Sequence, residues 1–314
     1  MHLPFTTLDV FTSTPYLGNP LAVIRVPSSL RSVLTEAQKQ RIAREFNYSE
    51  ITFLHEPTGE DGIADFDIFT PLSRMTFAGH PTIGTSVYIA THAQQYLGIK
   101  ALRTIAGVIP LQFDEKNERV EVAIPHNVHI HSTRRPHPFP SPSTNSSGSD
   151  TVPIVSIVPG MAFHLIPMKD LEALALPSSG LLAISELYKH EHLDKGTEWD
   201  LGYTGTFFYV DLGVENGIKR LRTRGLGARE DPGTGSASAD LCAYLALVES
   251  GEVGGKEFNY HLTQGVEMGR QCDIFVRVVV REDGKGIEGV WLSGGAVEVM
   301  EGTLRVQEEG EGEL

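Results

Sequence analysis

The chain has 314 residues, of which 40 are acidic and 26 are basic, and its formal net charge is -14. Nucleic acid is an unsuitable partner for so acidic a protein, because the phosphate backbone would repel it and no basic cluster reverses the balance locally. No stretch approaches the roughly 20 apolar residues of a membrane-spanning helix, and the first residues lack a basic and apolar leader. We therefore expect a cytoplasmic protein without nucleic-acid or membrane partners.

The first half of the chain combines β-rich segments with two helices. A helix is predicted over 35–46, because Thr35 can cap it and its apolar residues fall near one face. A second helix is predicted from Pro81 to about Gln95, with Pro81 as its first residue. Strands are predicted at 7–12, 21–26, 51–54, 66–69, 108–113 and 119–124.

The second half begins after a stretch of different composition. Residues 132–150 are rich in serine and proline, cannot build a hydrophobic core, and are predicted to form a linker or an insertion. Helices are then predicted near 169–175 and over 235–249. Strands are predicted at 154–158, 207–210, 273–280, 288–293 and 296–300. The predicted domains are 1–131 and 151–314, with the last strand of the chain as a candidate to cross back to the first domain.

Two of the predicted helices lack a polar face. The helices at 81–95 and 235–249 are apolar or small nearly all round, and a helix of this kind is buried. Each follows a glycine-rich turn and is flanked by short strands, so the two halves share one plan. A regular alternation of strand and helix is missing, which disfavours a parallel α/β fold. The sequence predicts an α+β fold of two pseudo-symmetric domains, each a β-barrel-like sheet wrapped around a central helix.

The two glycine-rich turns are candidate anion-binding sites. The first reads Phe77-Ala78-Gly79-His80-Pro81-Thr82-Ile83-Gly84-Thr85, and the second reads Glu230-Asp231-Pro232-Gly233-Thr234-Gly235-Ser236-Ala237. A turn of small residues that opens a helix leaves free N–H groups at the positive end of the helix dipole, where a carboxylate binds well. We therefore expect a small anionic metabolite as substrate. Its predicted contacts are Gly79, Gly233, Thr234, Gly235 and Ser236.

Six motifs in chain order carry a resemblance to a known family. They are Gly18-Asn19-Pro20-Leu21-Ala22-Val23, Ser49-Glu50-Ile51-Thr52-Phe53, Phe77-Ala78-Gly79-His80-Pro81-Thr82, the turn 230–237, Gln264-Gly265-Val266-Glu267-Met268-Gly269-Arg270 and Leu292-Ser293-Gly294-Gly295-Ala296. In these motifs the chain resembles the phenazine-biosynthesis PhzF-like family, which has the diaminopimelate epimerase fold. The resemblance spans nearly the whole chain. It implies two barrel domains with an active site in the cleft between them, often in a homodimer.

The resemblance also implies roles for individual residues. The catalytic residue is the glutamate of the Ser-Glu-x-Thr motif, Glu50, which acts as a general acid/base without a cofactor. The assisting residues are His80, Asp231 and Ser236. Structural roles are the alternatives: an ordinary surface glutamate for Glu50, a structural hydrogen-bonding residue for His80, and caps of the helix 235–249 for Asp231 and Ser236.

The chain departs from the family pattern at two places. It reads Arg74-Met75-Thr76-Phe77 where the family often has Glu-Leu-Pro-Phe, and we expect Arg74 to change the charge that the pocket prefers. The stretch 132–150 is interpreted as an extra insertion. Both departures bear on the identity of the substrate rather than on the fold.

Thiol chemistry is disfavoured by the residues that precede the glycine turns. Cofactor-independent epimerases of this fold place a cysteine immediately before each turn, one as base and one as acid. Here Ala78 and Pro232 occupy those positions, while Cys242 and Cys272 lie elsewhere. We expect carboxylate chemistry and two reduced core thiols.

Neither a metal nor a cofactor is expected. The histidines show no tight ligand spacing on a predictable element and are expected to be solvated. These are His126, His129, His131, His137, His190 and His192. The turn 233–236 is not followed by the Gly-Lys-Ser/Thr of a phosphate loop, and no Gly-x-Gly-x-x-Gly opens a strand–helix unit.

The sequence therefore favours a cofactor-independent isomerase of a small carboxylate-bearing metabolite. Two alternatives stay open. One is a hydrolase or lyase that uses the same cleft, in which Glu50 activates water. The other is a non-catalytic member of the family that binds a metabolite or a protein partner. The presence of Glu50, His80 and Asp231 together favours catalysis over binding.

Overall fold

The structure is a computed structural model that describes residues 1–57, 59, 61–139, 151–177, 192–227, 229–251 and 253–307. The chain forms two compact units: unit 1 comprises Met1–Val122 and Gly294–Leu314, and unit 2 comprises Ala123–Ser293. Both units consist mostly of β-sheet with few helices. A sheet-rich fold in two units is therefore confirmed.

The described residues form twenty strands and four α-helices. The strands are β1 (His2–Val10), β2 (Asn19–Val26), β3 (Glu50–His55), β4 (Ile63–Phe69), β5 (Arg74–Met75), β6 (Ala101–Thr104), β7 (Gly107–Asp114), β8 (Arg119–Ala123), β9 (His129–Ile130), β10 (Arg135–Pro136), β11 (Thr151–Val152), β12 (Ile154–Val158), β13 (Gly160–Pro167), β14 (Gly202–Glu215), β15 (Ile218–Leu226), β16 (Glu230–Asp231), β17 (Glu257–Gln264), β18 (Cys272–Val280), β19 (Ile287–Gly294) and β20 (Ala296–Arg305). The helices are α1 (Glu36–Phe46), α2 (Gly79–Thr91), α3 (Leu171–Leu174) and α4 (Gly235–Ser250).

In unit 1 the order of strand pairing begins with β20, the last described strand. Strand β20 pairs with β1 and β1 with β2, both antiparallel, and β2 then runs parallel to β3. Strand β3 pairs antiparallel with β4, β4 runs parallel to β6, and β6, β7 and β8 follow in antiparallel order. The two-residue strand β5 adds to β4 just before α2. Helix α2 packs against β1, β2, β3, β7 and β20.

Unit 2 has the same order of pairings. Strand β9 pairs with β12 and β12 with β13, both antiparallel, and β13 runs parallel to β14. Strand β14 pairs antiparallel with β15, β15 runs parallel to β17, and β17, β18 and β19 follow in antiparallel order. The two-residue strand β16 adds to β15 just before α4. Helix α4 packs against β12, β13, β17 and β18.

Both long apolar helices are buried, because neither presents a polar face to water. Helix α2 is buried from Gly79 to Ile89, and most residues of α4 are buried as well. The prediction that α2 begins at Pro81 is wrong. The helix begins at Gly79, and Pro81 occupies its third position, where its missing N–H has no intrahelical acceptor in any case. The helix also ends at Thr91, short of the predicted Gln95.

Part of the predicted linker packs onto unit 2. Strand β10 pairs antiparallel with β11, and the buried His137 places Nε2 2.9 Å from the carbonyl oxygen of Pro167. The rest of that linker, 140–150, and the acidic tail 308–314 lie outside the described residues. None of the helices in the described part of the chain is long and apolar enough to cross a membrane.

Candidate active site

Unit 1 brings two of the predicted site residues together. Glu50 is the first residue of β3, and His80 is the second residue of α2. The Oε2 atom of Glu50 lies 2.9 Å from Nδ1 of His80. An ionised carboxylate can only accept, so Nδ1 carries the hydrogen in that state. The side chain of Glu50 is 20% exposed and that of His80 is 3% exposed, so a ligand can reach the carboxylate while the imidazole is fixed by its surroundings.

The other ring nitrogen of His80 is a polar atom without a partner. Its Nε2 is buried and has no hydrogen bond within the described residues. A buried polar atom that makes no hydrogen bond costs free energy, and such atoms are rare in native proteins. This atom therefore marks a place where a polar ligand group would be stabilising.

A pair of threonines holds β3 against α2. The hydroxyl oxygens of Thr52 and Thr85 lie 3.0 Å apart, and both side chains are fully buried. Gly84 allows the helix to approach the sheet, because a Cβ at this position would lie 2.4 Å from Cδ2 of Leu21 and 2.7 Å from Cγ2 of Val10. The close approach fixes the distance between Glu50 and His80.

The start of α2 has no side-chain cap for its first N–H groups. Its N-cap residue, Ala78, has no side chain that could accept from the first-turn N–H groups. The N–H groups of Gly79 and His80 belong to the first turn, which has no intrahelical acceptors. The hydroxyl of Thr82 is bonded to the carbonyl oxygen of Ala78 at 2.7 Å rather than to these N–H groups. This helix end keeps the anion-binding character predicted for Gly79.

In unit 2 the predicted site residues form a hydrogen-bonded turn. Oδ2 of Asp231 accepts from the hydroxyl of Thr234 at 2.7 Å. The fully buried Gln264 accepts from the N–H of Thr234 at 3.0 Å and donates to the carbonyl oxygen of Asp231 at 2.8 Å. The N–H and hydroxyl of Thr234, predicted to contact substrate, are therefore both used inside the turn. Thr234 shapes the turn, while Gly233, Gly235 and the half-buried Ser236 lie at the start of α4.

Gly265 allows the Gln264 segment to pack against the turn. Its φ is +74°, and a Cβ there would lie 2.6 Å from the carbonyl oxygen of Pro232 and 2.5 Å from that of Arg270. A side chain at this position would strain the backbone and displace the turn. The motif that begins at Gln264 is thus a support for the turn 230–237.

Arg74 does not carry the role expected from the sequence. Its guanidinium bonds to Asp67, and also to Glu36 of α1 at 3.2 Å. Ile51 and Phe53 pack into the core cluster below α1, whereas Glu50 and Thr52 of the same strand contact α2. The Arg74 charge is matched by two carboxylates on the α1 side, so the expectation that it sets the charge preference of the pocket is wrong.

The carboxyl of Asp67 is ionised among the charged side chains that surround it. Burial raises its pKa, but hydrogen bonds from His55 at 2.8 Å and from Lys39 at 2.6 Å outweigh burial and hold the pKa far below its usual value. Asp67 therefore serves to dock α1 on the sheet.

Both cysteines are buried and unoxidised. Cys242 lies inside α4 and Cys272 begins β18. Burial raises the pKa of the Cys242 thiol well above its usual value, which suppresses the reactive thiolate. These positions agree with the expectation of core thiols.

Some of the histidines expected to be solvated are buried in hydrogen-bonded positions. In unit 2 the ligand-type atoms of His129, His131 and Asp194 lie within 4.8 Å of one another. Nε2 of His129 lies 2.8 Å from Asp194, but both nitrogens of His131 are occupied: Nδ1 accepts from the N–H of Asp194 at 3.1 Å and Nε2 bonds to Ser156 at 2.9 Å. This arrangement is a hydrogen-bonded clamp that leaves His131 no lone pair for a metal. His190 lies outside the described residues.

Comparison with known proteins identifies the family. Residues 8–302 match the family described as phenazine biosynthesis-like protein, and the chain belongs to this family. It is 28% identical to the trans-2,3-dihydro-3-hydroxyanthranilate isomerase of Pseudomonas chlororaphis, over 96% of this chain and 98% of that protein. It is 30% identical to an uncharacterised isomerase of Pasteurella multocida, over 98% of this chain and 95% of that protein.

A solved structure shares the fold. The phenazine biosynthesis protein of the PhzF family from Bacillus anthracis matches with a TM-score of 0.71 at 20% sequence identity, covering 98% of this chain and all of that one. The membership of the PhzF-like family inferred from the six motifs is confirmed by the match over residues 8–302.

Proposed function

We propose that this protein is a cofactor-independent isomerase that moves a proton between two carbon atoms of a small carboxylate-bearing metabolite. The observation that carries the proposal is the contact between Glu50 and His80 at the N-terminus of α2, where no side chain caps the helix. A partly exposed carboxylate, oriented by a buried imidazole and adjacent to an anion-binding helix end, has the components of a general acid/base site.

In the proposed reaction Glu50 is the proton carrier. Its carboxylate takes a proton from one carbon as the C–H electron pair shifts into the substrate's π-system. The carboxylic acid then returns the proton to a second carbon, so that one C–H bond breaks, another forms, and no atom is lost. His80 holds Oε2 of Glu50 through Nδ1, which fixes the direction from which the carboxylate approaches.

The proposal assigns the substrate carboxylate to the helix ends. The N–H of Gly79 belongs to the start of α2, and Gly233, Gly235 and Ser236 lie at the start of α4. We propose that each unit is a barrel-like sheet around its helix and that the start of each helix binds substrate. Asp231, fixed by Thr234, would then polarise a substrate hydroxyl or amine. A homodimer in the cytoplasm completes the proposal.

The name of one relative suggests the first substrate to test. The protein from Pseudomonas chlororaphis is a trans-2,3-dihydro-3-hydroxyanthranilate isomerase. That compound combines a carboxylate with a hydroxyl and an amino group, which suits the proposed set of anion-binding N–H groups and the Asp231 carboxylate.

Turnover of this compound and of related amino and hydroxy carboxylates tests the proposal. The reaction is followed by absorbance and by mass spectrometry in H₂¹⁸O. We expect a product of unchanged mass with no ¹⁸O, and no turnover by Glu50→Gln. Glu45→Gln, which changes an exposed glutamate on α1, is the matched control and should turn over as the wild type does. Incorporation of ¹⁸O would contradict an isomerase and indicate a hydrolase.

A further inference from the structure

A pocket of unit 1 lies at the opposite end of α2 from His80. It encloses about 260 Å³ and is lined by Arg25, Leu54, Glu56, Gln95 and Tyr96 among others. Arg25 and Leu54 are the last but one residues of β2 and β3, Glu56 follows β3, and Gln95 and Tyr96 follow α2, whereas His80 lies at the start of α2. A helix rises about 1.5 Å per residue, so the 13 residues of α2 separate the two ends by about 18 Å. The pocket is therefore distinct from the Glu50–His80 pair.

Arg25 supplies a positive charge to this pocket. Its Nη1 donates to the hydroxyl of Tyr88 at 3.0 Å, and its Nε is buried without a hydrogen bond. None of the ion pairs among the described residues includes Arg25. Arginine stays charged at any physiological pH, and its planar set of N–H donors matches the two oxygens of a carboxylate.

Two tyrosines lie near Arg25, of which Tyr96 lines the pocket and Tyr88 holds the guanidinium. Tyr88 is fully buried, accepts from Arg25, and stacks on His92 with ring centroids 4.2 Å apart, which fixes its hydroxyl. Tyr96 is 4% exposed, and burial raises the pKa of its hydroxyl, so that it stays protonated and can donate. Gln95 lines the same pocket with a further amide donor.

The remaining lining residues select the kind of anion. Pro4, Val26, Leu54 and Pro57 form apolar walls. Glu56 is exposed and held by the N–H of Ser28 at 2.8 Å and by its hydroxyl, which lowers the pKa of Glu56 and keeps it ionised. A fixed negative charge at the rim disfavours doubly charged phosphate and leaves a single negative charge as the better match for Arg25.

We propose that this pocket binds a small monocarboxylate with an apolar body, with its carboxylate on Arg25 and its body against the proline and leucine walls. The site is separate from the Glu50–His80 pair, and its test does not depend on the reaction proposed above. Benzoate is the probe, and benzamide is the neutral control of the same shape.

The test uses a signal from within the pocket. The protein is labelled with 3-fluorotyrosine, the ¹⁹F resonance of Tyr96 is assigned by its loss in Tyr96→Phe, and benzoate is titrated at constant ionic strength. We expect the Tyr96 resonance to shift saturably with benzoate. Benzamide should bind with at least tenfold lower affinity in the same titration. Arg25→Gln should weaken benzoate binding at least tenfold, and Arg25→Lys should retain part of it.

Control variants separate this pocket from the candidate active site. Arg41→Gln removes an equal charge from the exposed face of α1, and Glu50→Gln changes the other end of the unit; both should titrate as the wild type does. A Tyr96 resonance that does not move with benzoate, or that moves equally in Arg25→Gln, overturns the proposal. Arg25→Gln protein is compared with the wild type by circular dichroism, and the Arg25→Lys variant provides the answer if Arg25→Gln does not fold.

Discussion

The hydroxyl oxygens of Thr52 and Thr85 lie 3.0 Å apart in the core of unit 1 and join β3 to α2. Glu50 lies two residues before Thr52 on the same face of its strand, and His80 lies just over one turn before Thr85 on its helix. The 2.9 Å contact between Glu50 and His80 therefore rests on a second, fully buried contact between the same two elements. The geometry of the proposed proton carrier depends on both.

The threonine pair predicts non-additive stability effects. Thr52→Val or Thr85→Val leaves the other, fully buried hydroxyl without this partner, which should cost about 1–3 kcal/mol of unfolding free energy. The double variant removes both hydroxyls and should be less destabilised than the sum of the single variants. Urea unfolding measures all four proteins. Strictly additive effects would show that the two hydroxyls do not interact.

His80→Gln should impair catalysis more than binding. The variant removes the group that holds Oε2 of Glu50, and a misplaced catalytic group can reduce the rate by about 10²-fold. We expect kcat to fall by that order with little change in KM, and the pH profile of kcat to change shape. Steady-state kinetics across pH measure both. An unchanged kcat would remove His80 from the machinery and leave it a purely structural role.

Gln264 should be required for the turn in unit 2. Gln264→Leu keeps the approximate volume but leaves the N–H of Thr234 without its acceptor, at a cost of about 1–3 kcal/mol. The control is Gln271→Leu, which changes an exposed glutamine of the neighbouring segment and should leave stability nearly unchanged. Thermal unfolding compares the two variants. Equal melting temperatures would contradict the role assigned to Gln264.

Asp240 predicts a distinctive pH dependence of stability. It is fully buried in α4 with no hydrogen-bond partner for either carboxylate oxygen among the described residues, and burial raises its pKa well above the usual value. The folded state therefore keeps a proton that the unfolded chain loses above about pH 4. The contribution of Asp240 to stability is complete below that pH and falls by about 1.4 kcal/mol per pH unit as the pH rises toward its folded-state pKa.

Asp240→Asn removes this titration. Its unfolding free energy should exceed that of the wild type by a margin that grows from pH 4 upward and levels off once the pH passes the folded-state pKa of Asp240. Urea unfolding at a series of pH values measures the difference. Parallel curves for the two proteins would show that Asp240 is ionised in the folded state or solvated there.

The sequence predicts the apolar elements better than the polar ones. The strands at β12 and β18 and the helix α4 are found close to their predicted positions, because runs of valine, isoleucine, leucine and alanine reveal them. Strands β15 and β17 were not predicted, since β15 has arginine or lysine at alternate positions and β17 has few β-branched residues. A polar side chain of β15 instead finds its partner beyond the strands: Arg222 pairs at 2.7 Å with Glu267, in the turn that follows β17.

In the candidate site, the sequence reveals the motif residues but not the residues that support them. Glu50, His80 and the glycine turns could be found from motifs, because each stands in a short and distinctive run. The supporting residues could not be assigned, since their roles depend on partners distant in the chain: Thr52 needs Thr85, and Gln264 needs the turn at Asp231. Arg74 was misassigned for the same reason, because Glu36 and Asp67 become its partners only in the folded chain.

The most direct test of the account is hydrogen exchange at carbon in D₂O. Wild-type protein, Glu45→Gln and Glu50→Gln are incubated with trans-2,3-dihydro-3-hydroxyanthranilate, and the recovered substrate and product are examined by ¹H and ²H NMR. The account predicts deuterium at carbon with the wild type and with Glu45→Gln, and none with Glu50→Gln at equal thermal stability. Equal deuterium incorporation by Glu50→Gln and the wild type would show that another group carries the proton.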